Sequence, residues 1–295
     1  MPILRFGFAT CVQLGLSCME EISKIGGHLD AVLTLPDDKA RAKSGRVYLD
    51  GYCSEQGIAL FKANSINDAD ALAWLRSQAL DWLFIIGWSQ IAKADVLASV
   101  TRGAIGMHPT LLPVGRGRAS IPWAILKELP ETGVSMFKLD EGVDTGPILA
   151  QEHILIESRE TATMLYSKVE RAHRSLIRRA WPLLAQDALP LVPQDETRAT
   201  VWPGRTPSDG RLDASMLMMD ADRLVRAVTR PYPGAYIDAG STRWRIWSAI
   251  PNADAALGLS GKRLHFVDGE LLALEMTEET VESEATLSAE AIQRQ

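Results

Sequence analysis

The chain has 295 residues, of which 46% are hydrophobic and 23% are charged. This composition is typical of a globular protein with one large or two ordinary domains, and it excludes disordered, collagen-like and coiled-coil chains. The formal net charge is −6, from 31 basic and 37 acidic side chains. A nucleic-acid partner is therefore disfavoured, because proteins that neutralise many phosphates carry basic binding surfaces.

The cysteine count and the hydropathy pattern indicate a cytoplasmic protein. Three cysteines, Cys11, Cys18 and Cys53, occur without CxxC pairing, which argues against a disulfide framework and against a thiolate zinc site. No apolar run approaches the roughly 20 residues needed to span a bilayer, and the first residues lack the features of a signal peptide. We therefore expect a soluble cytoplasmic protein with no membrane partner.

Short apolar runs alternate with helical patterns over the first two-thirds of the chain. The predicted strands are Ile3–Ala9, Leu29–Leu35, Ile58–Phe61, Asp81–Ile86, Ala104–Met107, Gly133–Leu139 and Ile148–Ile156. The predicted helices cover residues 12–25, 68–79, 95–100, 121–128 and 161–185. Because strands and helices alternate at this spacing, the sequence predicts an α/β fold with βαβ units and a Rossmann-like, mostly parallel sheet.

The character of the sequence changes after the long helix. Residues 191–204 are rich in Pro, Thr and charge and are predicted to form a linker. A short helix is then predicted at 221–229, followed by short strands at 236–237, 242–247, 263–267 and 271–275, with Asp268-Gly269 as a hairpin turn. We therefore predict a domain over residues 1–190, a small β-rich domain over 205–276 and a disordered tail over 277–295.

The motifs of common cofactor sites are missing from the sequence. Residues 8–15 read FATCVQLG where a dinucleotide site would carry GxGxxG, and no P-loop, HExxH or EF-hand pattern occurs. A dinucleotide cofactor is therefore disfavoured, and no metal is implied.

A histidine and a carboxylate lie at the ends of two predicted strands, at positions typical of a catalytic site. His108 follows a buried strand of the predicted parallel sheet, at the carboxyl edge where open α/β sheets bind ligands. Asp144 lies in a glycine-punctuated loop after a later strand, so the two side chains are able to meet at one edge. A carboxylate beside an imidazole suits general acid–base work. From spacing alone, a structural histidine and a turn-forming aspartate remain the alternative.

The block around these residues resembles the signature of the folate-dependent formyltransferases. The motifs are His-Pro-Thr-Leu-Leu-Pro at 108–113, Arg-Gly-Arg at 116–118, Gly-Val-Ser at 133–135 and Asp-Glu-Gly-Val-Asp-Thr-Gly at 140–146. Residues 204–210 and 231–235 resemble the C-terminal domain of the two-domain members, and the likeness covers most of the chain. The resemblance implies a formyltransferase-type catalytic domain with an OB-like second domain.

The resemblance also implies a donor and a set of site residues. The donor of the family is 10-formyltetrahydrofolate, and a primary amine attacks its formyl carbon. His108 matches the catalytic histidine that donates to the developing oxyanion, and Asp144 matches the carboxylate that assists it. The positions expected to bind the folate are Gln90, Ile91, Ala92, Arg118, Asp140, Glu141, Gly142 and Val143. Trp88, beside this loop, either stacks on a ring of the folate or packs in the core.

Gly106 is a departure from the family pattern. The family usually has Asn two residues before the histidine, where its amide stabilises the oxyanion; losing one such donor typically costs about 10²–10³ in rate. In the first interpretation, Ser89, Gln90, Ser135 or a water beside Gly106 replaces the donor. In the second, the chain is a hydrolase, like the domain of 10-formyltetrahydrofolate dehydrogenase that also lacks this Asn. In the third, it only binds folate or a nucleotide sugar.

The acceptor is predicted to be a nucleotide-linked amino sugar. Arg-Gly-Arg-Ala at 116–119, with Trp123, is most similar to the family member that formylates UDP-4-amino-4-deoxy-arabinose. The family members that act on tRNA resemble the chain equally in outline. However, residues 205–280 carry 9 basic and 11 acidic side chains, whereas a domain that binds tRNA should be basic. The sequence leaves open whether the second domain binds substrate or supports a homodimer.

Overall fold

The computed structural model describes residues 4–40, 45–88, 90–186, 188–252 and 260–280. They form two compact units. The first comprises the chain up to Ser120 with Pro130–Ile156 and Tyr166–Gly204, and the second comprises Ile121–Leu129, Glu157–Leu165 and the described chain from Arg205 onward. Residue 3 of the predicted first strand, Ser89 and residues 281–295 lie outside the described residues.

The secondary structure follows the predicted order of elements with a few additions. The strands are β1 (Phe6–Ala9), β2 (Ala31–Thr34), β3 (Ala59–Lys62), β4 (Trp82–Ile85), β5 (Gly103–His108), β6 (Arg116–Gly117), β7 (Glu131–Lys138), β8 (Ile148–Leu155), β9 (Val201–Trp202), β10 (Ala235–Ala239), β11 (Thr242–Pro251), β12 (Lys262–Phe266) and β13 (Gly269–Thr280). The helices are α1 (Gln13–Lys24), α2 (Asp37–Ala40), α3 (Asp50–Gln56), α4 (Ala69–Ser77), α5 (Ala94–Leu97), α6 (Ser120–Leu126), α7 (Ala162–Ala185) and α8 (Met218–Val228). Helices α2 and α3 and the two-residue strands β6 and β9 were not predicted.

A seven-stranded sheet organises the first unit, in the order β3-β2-β1-β4-β5-β7-β8. Strands β1 to β5 pair in parallel, which confirms the predicted mostly parallel sheet. Every residue of β1, β2 and β4 is buried, as expected of parallel strands that are covered on both faces. The carboxyl ends of β4 and β5 therefore meet at the same edge of the sheet.

Strands β7 and β8 depart from the parallel pattern. Strand β7 pairs antiparallel with β5, with His108 opposite Ser135 and Ile105 opposite Lys138, and β8 pairs antiparallel with β7. The loop after β7 therefore starts beside the beginning of β5, where Leu139 N donates to Ala104 O at 2.8 Å. It then runs back toward His108. The predicted meeting of His108 and Asp144 does occur, but through this returning loop rather than through parallel strand ends.

The second unit is built on an antiparallel sheet and a helix. The sheet has the order β10-β11-β13-β12, which confirms the predicted β-rich domain; the described strands number four, against the five of an OB barrel. Strands β12 and β13 form the predicted hairpin, with Phe266 opposite Gly269. Helix α8 buries Leu224, Val225 and Val228.

The predicted domain limits need three corrections. Residues 121–129 and 157–165 were placed in the first domain but belong to the second unit. Residues 191–204, predicted as a linker, belong to the first unit, where β9 pairs with β6. Residues 277–280, predicted as the start of a disordered tail, continue strand β13, in which Thr277 lies opposite Arg245. No helix in the described part of the chain is long and apolar enough to cross a membrane.

Candidate active site

A cavity of about 410 Å³ in the first unit brings the predicted site residues together. It is lined by ten of the eleven, namely Gln90, Ile91, Ala92, Gly106, His108, Arg118, Asp140, Gly142, Val143 and Asp144. The eleventh, Glu141, is exposed and does not line the cavity. This volume is typical of small-molecule sites.

His108 is the last residue of β5 and is 7% exposed. Its Nε2 lies 2.8 Å from Gly115 O and 3.3 Å from Ser120 Oγ. Because a carbonyl oxygen can only accept, the bond to Gly115 requires the proton of the neutral ring to sit on Nε2. Nδ1 is then the ring atom that is left for proton exchange.

Asp144 faces that Nδ1 from the loop after β7. Its Oδ2 lies 3.6 Å from His108 Nδ1 and accepts a hydrogen bond of 2.9 Å from Gly117 N. The backbone of Asp144 is in the left-handed region, with a φ of 55°, which non-glycine residues adopt only at a cost unless their surroundings hold them. A proton taken up on Nδ1 would face the carboxylate across 3.6 Å, so the pair can take a proton from one reacting group and give it to another.

Two apolar side chains lie close to Gly106, which also lines the cavity. A Cβ at this position would lie 2.7 Å from Leu139 Cδ2 and 3.3 Å from the Phe137 ring. Phe137 is also the residue opposite Gly106 in the β5–β7 pairing. A side chain at position 106 therefore requires Leu139 or Phe137 to move.

Two of the three side chains considered as replacement donors are engaged elsewhere. Gln90 Nε2 donates to Asn64 O at 2.8 Å, and its Oε1 accepts from Ile66 N at 3.1 Å. Ser135 Oγ donates to Thr110 O at 2.7 Å and is fully buried. The one hydroxyl proton of Ser135 is therefore used, whereas Gln90 uses one of its two amide protons. Ser89 lies outside the described residues.

The loop over residues 90–93 is fastened by residues that the sequence did not single out. Asn67 Nδ2 donates to Ile91 O at 2.9 Å, and Asn67 Oδ1 accepts from Lys93 N at 2.9 Å. Together with the Gln90 bonds, these contacts fix the loop against the chain after β3. The Ile91 side chain, 61% exposed, is left at the rim of the cavity.

Other parts of the site were also missed from the sequence. Gly115 O, just before β6, contacts His108, and Gly117 N, within β6, contacts Asp144. A backbone group leaves no residue-type signal. Asp140 Oδ1, expected only as a folate contact, accepts from Gly142 N and Thr145 Oγ1 and so shapes its own loop. In the described residues, no group of three or more His, Cys, Asp or Glu converges in a way that would hold a metal ion.

Comparison with family models identifies the chain as a member of the formyl transferase family. The formyl transferase model matches residues 13–180, and the model of the formyl transferase C-terminal domain matches residues 205–284. The two matches together cover most of the chain, which confirms the resemblance found in the sequence and the predicted class of enzyme.

Solved structures show the same fold at low sequence identity. Methionyl-tRNA formyltransferase from Clostridium thermocellum superposes with a TM-score of 0.63 at 16% identity, over 94% of this chain and 100% of its own. The N-formyltransferase from Helicobacter canadensis, in complex with folinic acid and dTDP-3-aminofucose, gives 0.67 at 16%, over 93% and 100%. HypX from Aquifex aeolicus, in complex with tetrahydrofolic acid, gives 0.67 at 17%, over 94% of this chain but 44% of its own.

Proposed function

We propose that this chain transfers a formyl group from 10-formyltetrahydrofolate to the primary amine of a nucleotide-linked amino sugar. The observation that carries the proposal is the His108–Asp144 pair, 3.6 Å apart in the wall of a cavity, in a chain of the formyl transferase family. Formyl transfer needs a group that can move a proton beside the formyl carbon, and this pair supplies it.

The cavity suits a flat ligand with polar edges such as a reduced folate. Trp88 lines it, and the buried Nε1 of this tryptophan has no hydrogen-bond partner among the described residues. The aromatic ring of Trp88 would stack on a ring of the ligand. Ile91 and Val143, 61% and 48% exposed, offer apolar contact at the rim, while Arg118 adds a cation there.

The reaction requires one bond to form, one to break and one proton to move. The amine nitrogen bonds to the formyl carbon, the bond from that carbon to N10 of the folate breaks, the amine loses a proton and N10 gains one. Because the Nε2 proton is used on Gly115 O, His108 would be protonated on both nitrogens and would donate from Nδ1 to the formyl oxygen as it gains negative charge. Asp144 would take the proton that the amine releases, and N10 would gain a proton as its bond to the formyl carbon breaks. Since the Gly106 position offers no side-chain donor, His108 carries more of the oxyanion stabilisation than in members with Asn.

Two features support an amino sugar as the acceptor. One structural neighbour was solved in complex with dTDP-3-aminofucose, and another is described as a sugar 3-N-formyltransferase in the presence of dTDP. The likeness to a methionyl-tRNA formyltransferase is of the same degree, but residues 205–280 carry more acidic than basic side chains. A domain that binds tRNA needs the opposite balance.

Hydrolysis of the donor is the second candidate, and Gly106 is the observation that favours it. Water would then replace the amine, and formate and tetrahydrofolate would be the products. The same His108–Asp144 pair would take the proton from the attacking water.

A turnover assay with a panel of acceptors separates these reactions. The purified protein is incubated with 10-formyltetrahydrofolate and nucleotide-linked amino sugars, with initiator tRNA, or with no acceptor, and tetrahydrofolate release is followed optically. Release that requires an amino sugar supports the proposal. Release that requires tRNA, or that occurs without acceptor and yields formate, contradicts the proposed acceptor. Absence of release under all conditions contradicts formyl transfer.

A further inference from the structure

Residues 191–204 carry a glutamine that reaches the loop of Asp144. Gln194 Nε2 donates to Asp144 O at 2.8 Å and to Gly146 O at 2.7 Å. Both protons of the amide are therefore used on the backbone of the loop after β7. On the other side, Gln194 Oε1 accepts from Arg116 Nε at 3.2 Å and from Arg116 Nη2 at 2.8 Å.

Arg116 anchors the glutamine and is itself held firmly. It is 5% exposed and forms a two-point ion pair with Glu196, at 2.8 Å from Nη1 and 2.6 Å from Nη2. The hydrogen bond to Glu196 raises the pKa of Arg116 above its ordinary value, so the guanidinium stays charged. Because Arg116 cannot accept a hydrogen bond, the amide of Gln194 must present its oxygen to Arg116 and its nitrogen to the loop.

Gln194 contacts the backbone of Asp144, which has an unfavourable conformation. Asp144 has a φ of 55°, a conformation that persists only when the surroundings determine it from several sides. Gln194 fixes its carbonyl and Gly117 N fixes its carboxylate. The same short segment around Arg116 also provides Gly115 O, the acceptor for His108 Nε2.

We propose that Gln194 is a positioning residue that sets the distance between Asp144 and His108 by donating to the Asp144 backbone. This inference rests on the proposed function, because it assigns Gln194 a part in the chemistry of that same site. It also gives residues 191–204, which look like a linker in the sequence, a role in assembling the active site.

Two substitutions of Gln194 and one neighbouring control test the proposal. Gln194→Ala removes the donors and the contact with Arg116, whereas Gln194→Glu keeps an acceptor for Arg116 but has no proton to donate. Asp195→Asn is the control, since the bonds that Asp195 Oδ1 accepts from the described residues, Thr197 N and Oγ1, lie within its own turn. The readouts are kcat, KM for the acceptor, and hydrogen exchange of the backbone amides in residues 139–147.

Both Gln194 variants are expected to lose about 10- to 100-fold in kcat, because a displacement of about 1 Å at a catalytic group costs on this order. KM for the acceptor should stay within about twofold, as the positioning is needed for the chemical step. Exchange over 139–147 should accelerate in both variants and stay unchanged in Asp195→Asn. A general loss of folding would instead raise exchange throughout the chain.

The outcomes separate this inference from the proposed function. If the unmodified protein turns over and Gln194→Ala matches it, or Gln194→Glu restores activity, the positioning role is overturned while formyl transfer stands. If the unmodified protein never turns over but exchange over 139–147 accelerates in both variants, the proposed function is contradicted and the hold of Gln194 on the loop is supported.

Discussion

Asp144 faces His108 at Nδ1, the imidazole nitrogen that is not hydrogen-bonded to the backbone. Nε2 of the histidine is committed to Gly115 O, and Nδ1 lies 3.6 Å from Asp144 Oδ2. The carboxylate is held in turn by Gly117 N at 2.9 Å. The backbone groups Gly115 O and Gly117 N, on either side of Arg116, therefore orient the side chains of His108 and Asp144.

Replacing His108 with Ala removes the group that moves the proton. We expect kcat for formyl transfer to fall by about 10²–10⁴-fold, the usual contribution of a general acid–base residue, while the Kd for 5-formyltetrahydrofolate changes little. His153→Ala is the matched control, because His153 pairs with Glu131 on the surface and is 65% exposed. Full activity of His108→Ala, measured by tetrahydrofolate release, would contradict the mechanism.

Asp144→Asn separates the charge of the carboxylate from its geometry. The amide oxygen can still accept from Gly117 N, and Asn tolerates the positive φ of this position. The fold should therefore be unchanged, whereas kcat should fall by about 10²-fold since Asn cannot take the proton of the amine. Circular dichroism checks the fold and initial rates check the activity; equal rates in both proteins would show that the charge is not used.

Gly106→Asn restores the family residue but should not improve this enzyme. The new side chain meets Leu139 and Phe137, and overpacking of this kind costs about 1–3 kcal/mol. The free energy of unfolding should fall by this amount and kcat should not rise. In a Leu139→Ala background, which opens the space, the loss on adding Asn should be smaller. A gain in kcat from Gly106→Asn alone would mean that the cavity can accommodate the amide after all.

The parallel part of the fold could be predicted because each strand carries its own signal. Strands β1, β2 and β4 are short, fully apolar runs between helical patterns, and all of their residues are buried. The direction of β7 has no such signal, since a strand's sequence does not record whether its neighbour runs parallel. The prediction of disorder for Thr277–Thr280 is wrong because these polar residues lie on a partly exposed strand, where pairing with β11 supplies the order.

The part of the candidate site that is built from side chains could be predicted from the sequence. His108 and Asp144 have functional groups that a motif records, whereas Gly115 O and Gly117 N act through the backbone and leave no trace in the sequence. Gln194 was missed for another reason. It lies in a segment rich in Pro, Thr and charge, and that composition favours a linker over a part of the site.

The buried His173 predicts how stability depends on pH. Burial lowers the pKa of His173 from 6.5 to about 4, so between these values the unfolded chain binds a proton that the folded chain does not. Stability therefore rises with pH across this window and is lost as the pH falls from about 6.5 toward 4. Between pH 7 and pH 5 the loss from this residue should be about 2 kcal/mol.

The comparison with a His173→Leu variant isolates that contribution. Denaturant unfolding at pH 7 and pH 5 should show a drop in the variant that is smaller than in the unmodified protein by about 2 kcal/mol. His153→Leu, which removes an exposed imidazole, should keep the original drop. Equal pH dependence in the unmodified protein and His173→Leu would contradict the buried neutral state of His173.

Mass spectrometry of the acceptor after the reaction shows whether the formyl group reaches the amine of the sugar. The protein is mixed with 10-formyltetrahydrofolate carrying ¹³C in its formyl group and with a nucleotide-linked amino sugar, and the sugar nucleotide is analysed before and after. We expect a product that is heavier by one labelled formyl group, formed by the unmodified protein and not by His108→Ala. An unchanged sugar nucleotide, with the label recovered as formate or still on the folate, would show that the protein does not formylate this amine.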